Sequence, residues 1–133
     1  MDFEQDDEVI DTYIEETTER LDDIEQTILS IHCFNSQQCD ELLNSVFRSA
    51  HSIKAGANLL KMKNIEVLAH SLENILQFFR QHKRVPNKDA ITDLLYGIDE
   101  IRDLVNDIRT SNRRDITSAV DRLNALSRYL SRA

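Results

Sequence analysis

The sequence predicts an all-α protein, an antiparallel up-down-up-down four-helix bundle with a fifth C-terminal helix. Its 133 residues include only two glycines and one proline, which leaves little material for tight β-turns. Apolar residues recur at helical spacing through five segments. The connections between these segments are short, so consecutive helices are expected to pack as antiparallel neighbours. A chain of this length can bury one substantial core, and a single domain spanning residues 1–133 is predicted.

Polar and helix-breaking residues divide the five predicted helices. The interruption "CFNSQQCD" ends the first helix, and Asn35 or Ser36 can cap the second. The short "KMKN" turn sends the third helix back along the second, while Pro86 stops the third and Asn87 can cap the fourth. The fifth helix is expected to pack outside the bundle or to extend it. The predicted helices cover about 7–31, 36–60, 64–82, 88–109 and 114–131.

The negative charge is concentrated at the start of the chain. Residues 1–26 carry 12 acidic side chains and one basic side chain, whereas residues 27–133 carry 12 acidic and 15 basic ones. Nucleic-acid binding needs a concentrated basic face, so it is disfavoured. The acidic residues are interpreted as the solvated outer face of the first helix.

Several other classes of protein are disfavoured as well. Cys33 and Cys39 lack partners at metal-binding spacing, so reduced thiols are expected. The order His70-x-x-Glu73 reverses the Glu-x-x-His motif of di-metal bundles, and no metal is predicted. The sequence has neither an apolar run long enough to span a membrane nor a signal-peptide pattern, so a cytoplasmic protein is expected.

Polar side chains flank the apolar stripes of the second and third predicted helices. His51 falls outside the core on the second helix, with Lys54 one turn away. The tight turn makes these helices neighbours, so His51 is expected to face His70 or Glu73. A carboxylate that accepts from one imidazole nitrogen leaves the other free as a nucleophile, and a lysine can neutralise a phosphoryl group. The polar row on the third helix comprises Glu66, His70, Glu73 and Gln77.

The segment "AHSIKAGA", residues 50–57, resembles the phosphoacceptor motif of histidine phosphotransfer (HPt) domains. The resemblance is greatest to the N-terminal phosphoryl-accepting domain of chemotaxis histidine kinases of the CheA type. The acidic first helix, "LAHSLENIL" at residues 68–76 and the five-helix layout extend the resemblance over nearly the whole chain.

The resemblance implies a role for individual residues. His51 matches the phosphoacceptor, Glu73 the glutamate that orients it, and Lys54 and His70 the rest of the polar network. Gly56 matches the second family glycine. Ala55 replaces the first, and its methyl group is expected to narrow the open surface beside His51. The expected partner-binding residues are Phe47, Ala55, Gly56 and Asn58.

The implied function is two successive phosphoryl transfers. An ATP-binding kinase domain, of the same or a partner chain, would phosphorylate His51, and an aspartate of a response-regulator receiver domain would take the phosphoryl group. Such a chain would have no ATP-dependent activity of its own and would be a fragment of a protein histidine kinase. It would need no cofactor itself, with ATP and Mg²⁺ supplied by partner domains. A free-standing protein of a multistep phosphorelay and a non-phosphorylated helical adaptor remain alternatives.

Overall fold

Five α-helices and two short 3₁₀ segments make up the computed structural model, which describes residues 6–132. The first five residues and Ala133 of the predicted domain lie outside the described residues. Two 3₁₀ segments, Ile31–Cys33 and Ile108–Arg113, follow the first and fourth helices. The helices are α1 (Asp7–Ser30), α2 (Ser36–Leu59), α3 (Lys63–His82), α4 (Lys88–Asn106) and α5 (Thr117–Arg132). The predicted all-α class is therefore confirmed.

Side-chain caps fix the starts of three helices. Asp6 accepts hydrogen bonds from the backbone N–H groups of Glu8 and Val9 at the start of α1. Asn35 forms a capping box with Gln38 at the start of α2, and Asn87 accepts from the N–H of Ala90 at the start of α4. These side chains satisfy N–H groups that have no partner inside the helix. The predicted caps Asn35 and Asn87 are both present.

The largest departure from the predicted boundaries lies between α4 and α5. The prediction extended the fourth helix to about residue 109, but α4 ends at Asn106 and gives way to the 3₁₀ segment. The Asn64 side chain at the start of α3 donates 2.8 Å hydrogen bonds to the carbonyls of Ser111 and Arg114. Ile108 is still buried, so the apolar pattern continues past the end of the helix. The predicted boundary was wrong because this tertiary bonding does not alter the spacing of apolar residues.

The first four helices form a closed bundle in which each helix packs against the next and α1 packs against α4. Arg102 on α4 strengthens this closure through ion pairs with Asp22 and Glu25 on α1, at 3.0 and 3.3 Å. The fifth helix packs outside the bundle, against α3 and α4. The most extensive helix–helix contact is between α2 and α3, the pair predicted to carry the functional residues. No helix within residues 6–132 is long and apolar enough to cross a membrane.

Candidate functional site

His51 and Glu73 meet across the contact between α2 and α3. The Nδ1 atom of His51 lies 2.5 Å from the Oε2 atom of Glu73. Because an ionised carboxylate can only accept a hydrogen bond, Nδ1 must be the donor, and in the neutral imidazole Nε2 is then the nitrogen that carries the lone pair. The His51 side chain is 58% exposed. The site therefore presents a nucleophilic nitrogen to solvent while the opposite side of the ring is held by the bundle.

Glu73 is buried, whereas the sequence placed it in a polar row beside the core. Its side chain is only 9% exposed, and its Oε1 atom accepts a 2.7 Å hydrogen bond from Nζ of Lys54. Burial alone would raise the pKa of this carboxyl group. The hydrogen bonds from Lys54 and His51, together with the electrostatic attraction of these two groups, outweigh burial and leave the pKa of Glu73 below its ordinary value. The predicted position of Glu73 outside the core was wrong because α2 packs closely over this part of α3.

Lys54 occupies the middle of the polar contact. It lies three residues after His51 on α2, and its side chain is 25% exposed. Since both side chains bind the same carboxylate, the ammonium group and the imidazole ring are held side by side. A group added to Nε2 of His51 would enter a region where one positive charge is already fixed.

The contact continues in both directions along the two antiparallel helices. Seven residues after His51, the amide of Asn58 donates a 2.5 Å hydrogen bond to Glu66. Four residues before His51, the ring of Phe47 lies 6.4 Å from the imidazole, centroid to centroid, with 23° between the planes. We call this row of paired side chains, from Phe47 and Arg80 at one end to Asn58 and Glu66 at the other, the α2–α3 polar seam.

Arg80 is a member of the seam that the sequence motifs do not single out. Its guanidinium carbon lies 3.8 Å from the centroid of the Phe47 ring, a cation–π contact. Its Nη2 atom donates a 2.6 Å hydrogen bond to Gln77. Arg80 follows Glu73 by seven residues, or about two helical turns, so helical spacing could have placed it on the same face.

Two predicted site residues stand apart from this network. His70 is exposed and has no hydrogen bond or ion pair with any residue from 6 to 132. The structure therefore does not join His70 to the His51–Glu73–Lys54 network as predicted. Ala55 is exposed, so its methyl group points away from the core.

Gly56 lies where the ring of Tyr13 from α1 packs closely against α2. A Cβ atom at this position would lie 2.5 and 2.8 Å from two ring carbons of Tyr13 on α1. The Tyr13 hydroxyl donates a 2.9 Å hydrogen bond to the carbonyl of Ile53, within the α2 turn that follows His51. Burial raises the pKa of Tyr13 to about 12, so it remains a neutral donor. The missing side chain at Gly56 thus makes room for this internal contact, and its partner role stays a prediction.

Comparison with known proteins places the chain in a family. The Hpt domain family matches residues 8–111, and the chain belongs to this family. It is 30% identical over 102 residues to the chemotaxis protein CheA of Rhizobium meliloti (strain 1021), covering 77% of this chain and 13% of that protein. It is 31% identical over 115 residues to CheA of Salmonella typhimurium, covering 86% of this chain and 17% of that protein. The chain thus spans less than a fifth of the length of these relatives.

The fold is also shared with a solved structure. The phosphorylated P1 domain of CheA3, in complex with CheY6 from R. sphaeroides, superposes with a TM-score of 0.78 over 96% of this chain and 98% of that chain. The sequences are 19% identical, so this likeness supports the fold alone. The resemblance drawn from "AHSIKAGA" is confirmed by the family match.

Proposed function

We propose that His51 accepts a phosphoryl group on Nε2 from ATP bound to a kinase domain and passes it to an aspartate of a response regulator. The observation that supports this proposal best is the Nδ1 hydrogen bond to Glu73, which in the neutral imidazole assigns the lone pair to Nε2 of a largely exposed side chain. Family membership supports the same assignment. The solved complex of a phosphorylated CheA3 P1 domain with CheY6 supports a response regulator as the recipient.

In the first transfer, the Nε2 lone pair attacks the γ-phosphorus of ATP. The N–P bond forms as the bond from phosphorus to the β–γ bridging oxygen breaks, and ADP leaves with that electron pair. The ring becomes an imidazolium while Nδ1 keeps its proton. Glu73 stabilises this positive charge, and Lys54 faces the negative charge of the transferred group. ATP and Mg²⁺ would come from the partner domain.

The hydrogen bond from Nδ1 to Glu73 also assists the second transfer, in which the imidazole is the leaving group. A receiver aspartate oxygen attacks the phosphorus, the N–P bond breaks, and its electron pair returns to Nε2. Because Nδ1 remains protonated, the leaving group is a neutral imidazole, which leaves more easily than an anion. Phosphoryl transfer depends mainly on positioning and charge stabilisation, and this chain supplies both at the histidine. A domain that exchanges phosphoryl groups with these partners would work in the cytoplasm.

The test uses a chemotaxis kinase core, labelled ATP and the whole chain. We expect wild type to acquire acid-labile phosphate and His51→Gln to acquire none. His82→Gln is the matched control, because it also replaces an exposed histidine outside the network of His51. Labelling of His51→Gln at the wild-type level would overturn the assignment. A receiver domain added afterwards should remove the label from wild type.

A further inference from the structure

Phosphorylation would leave an unbalanced negative charge at the site. A phosphoryl group adds roughly two negative charges near neutral pH. The charges of Glu73 and Lys54 beside His51 neutralise each other through a 2.7 Å ion pair, and the imidazolium formed on phosphorylation offsets only part of the phosphoryl charge. Under the function proposed above, on which this inference rests, the phosphorylated site therefore needs a further cation.

Arg80 is a cation on the α2–α3 polar seam that has no carboxylate partner within residues 6–132. It is one of three half-buried arginines in the described chain, with Arg20 and Arg102. The other two pair with carboxylates: Arg20 with Glu16, and Arg102 with residues of α1 and α4. A guanidinium group has five N–H donors, and Arg80 directs one of them to the neutral amide of Gln77.

The position of Arg80 brings its charge close to His51. The Phe47 ring centroid is 3.8 Å from the guanidinium carbon and 6.4 Å from the imidazole centroid. The guanidinium group and the imidazole ring are thus within about 10 Å of each other, comparable to the Debye length at 0.1 M salt. The Arg80 side chain is half-buried and the His51 side chain is 58% exposed, so neither group is enclosed by the core.

We propose that Phe47 and Gln77 position Arg80 near His51 without neutralising its charge, and that Arg80 binds the phosphoryl group once His51 is phosphorylated. The ring of Phe47 attracts the cation without neutralising its charge, and the Gln77 amide orients it. Arg80 therefore stabilises the phosphorylated state of the site. Phe47, which the sequence pattern assigned to partner contact, positions this arginine.

The experiment measures the equilibrium phosphorylation of the whole chain in defined ATP and ADP mixtures with a kinase core. We compare wild type with Arg80→Gln, Arg80→Lys and the control Arg84→Gln. Arg84 also contacts a phenylalanine, with its guanidinium carbon 5.5 Å from the Phe78 ring, and its replacement removes the same charge. We expect Arg80→Gln to lower the equilibrium constant about fivefold, with Arg80→Lys between it and wild type. Arg84→Gln should match wild type.

A second measurement tests direct contact. The ³¹P chemical shift of the phosphohistidine, followed against pH, reports the second ionisation of the phosphoryl group. A cation bound to that group lowers its pKa, so this pKa should be higher in Arg80→Gln than in wild type or Arg84→Gln. Phe47→Leu, which keeps an apolar side chain but removes the ring, should give a partial shift. Thermal unfolding of each variant shows whether it is folded.

The outcomes separate this inference from the proposed function. If Arg80→Gln and Arg84→Gln give the same equilibrium constant and the same ³¹P titration, the inference is overturned. If Arg80→Gln slows only transfer to the receiver, its cation serves an acidic group of the partner, which also overturns the inference. If the label on wild type persists in His51→Gln, the proposed function itself is wrong.

Discussion

The environment of Glu73 stabilises its ionised carboxylate in the folded protein. Its carboxylate is 9% exposed and is bound by two cationic or polar side chains from α2. The pKa of Glu73 therefore lies below the ordinary value of 4.5, although burial opposes this shift. The unfolded chain binds a proton at this position at a higher pH than the folded chain does. Glu73 thus contributes stability above about pH 4.5, and this contribution is lost as the pH falls through the lower folded-state pKa.

Glu73→Gln should weaken this acid dependence. We expect the free energy of unfolding of wild type to fall more steeply below about pH 4.5 than that of Glu73→Gln. Denaturant titrations between about pH 3 and pH 7 would measure the two curves, since acid loss of paired carboxylates falls in this range. Glu15→Gln on the exposed face of α1 is the control and should follow wild type. Parallel curves for wild type and Glu73→Gln would show that the carboxylate does not contribute in this way.

At the scale of the helix, the two glycines test how closely neighbouring helices approach. Gly56 faces the aromatic ring of Tyr13, where a Cβ atom would lie at 2.5 Å. Gly97 on α4 faces two methyl groups of Leu123 on α5, each 3.1 Å from the position that a Cβ atom would occupy. The overlap with the Tyr13 ring, which its hydrogen bond to Ile53 fixes, is the deeper one, whereas Leu123 would need to yield by only a few tenths of an ångström. The two sites therefore differ in how far the neighbour must move.

Gly56→Ala should destabilise the protein more than Gly97→Ala does. Alanine favours a helix over glycine by about 1 kcal/mol, which offsets part of the steric cost at both positions. Overpacking a fixed neighbour costs about 1–3 kcal/mol, so Gly56→Ala should be a net loss of stability, while Gly97→Ala should be nearly neutral. Thermal and denaturant unfolding of the two variants would give the order. The reverse order would contradict the assigned role of Tyr13.

Helical spacing was enough to place His51 opposite the polar row of α3, but it did not decide between His70 and Glu73 and was less informative about how tightly the side chains pack. The row containing His51 and Lys54 and the row containing Glu73 were predicted from the positions of apolar residues. The burial of Glu73, the ring of Tyr13 against Gly56 and the early end of α4 depend on contacts between distant segments. Arg80 could be placed on the correct face, but its preference for Phe47 over a carboxylate depends on side-chain conformation.

At the scale of the whole molecule, the family match and the bundle do not cover the same residues. The Hpt domain family matches residues 8–111, which leaves α5 outside the match. This helix packs on α3 and α4, and its apolar face is buried. The seam that carries His51 lies between α2 and α3. The fifth helix therefore packs on the α3 and α4 side of the bundle. The α2–α3 polar seam lies on the other side of α3, where it meets α2.

Leu123→Ala should separate this support from the chemistry. Leu123 is fully buried on α5 and lies against Gly97 of α4. Loss of a buried leucine leaves a cavity and costs about 2–5 kcal/mol, so the free energy of unfolding should fall by that amount. Phosphorylation of His51, measured below the unfolding temperature, should keep the wild-type rate, because the side-chain hydrogen bonds of the polar seam join α2 and α3 residues to one another. Asn124→Ala is the control, because it also places an alanine on α5 but removes an exposed side chain and leaves no cavity. A folded Leu123→Ala variant that accepts phosphate slowly would show instead that α5 sets the geometry of α3 at the site.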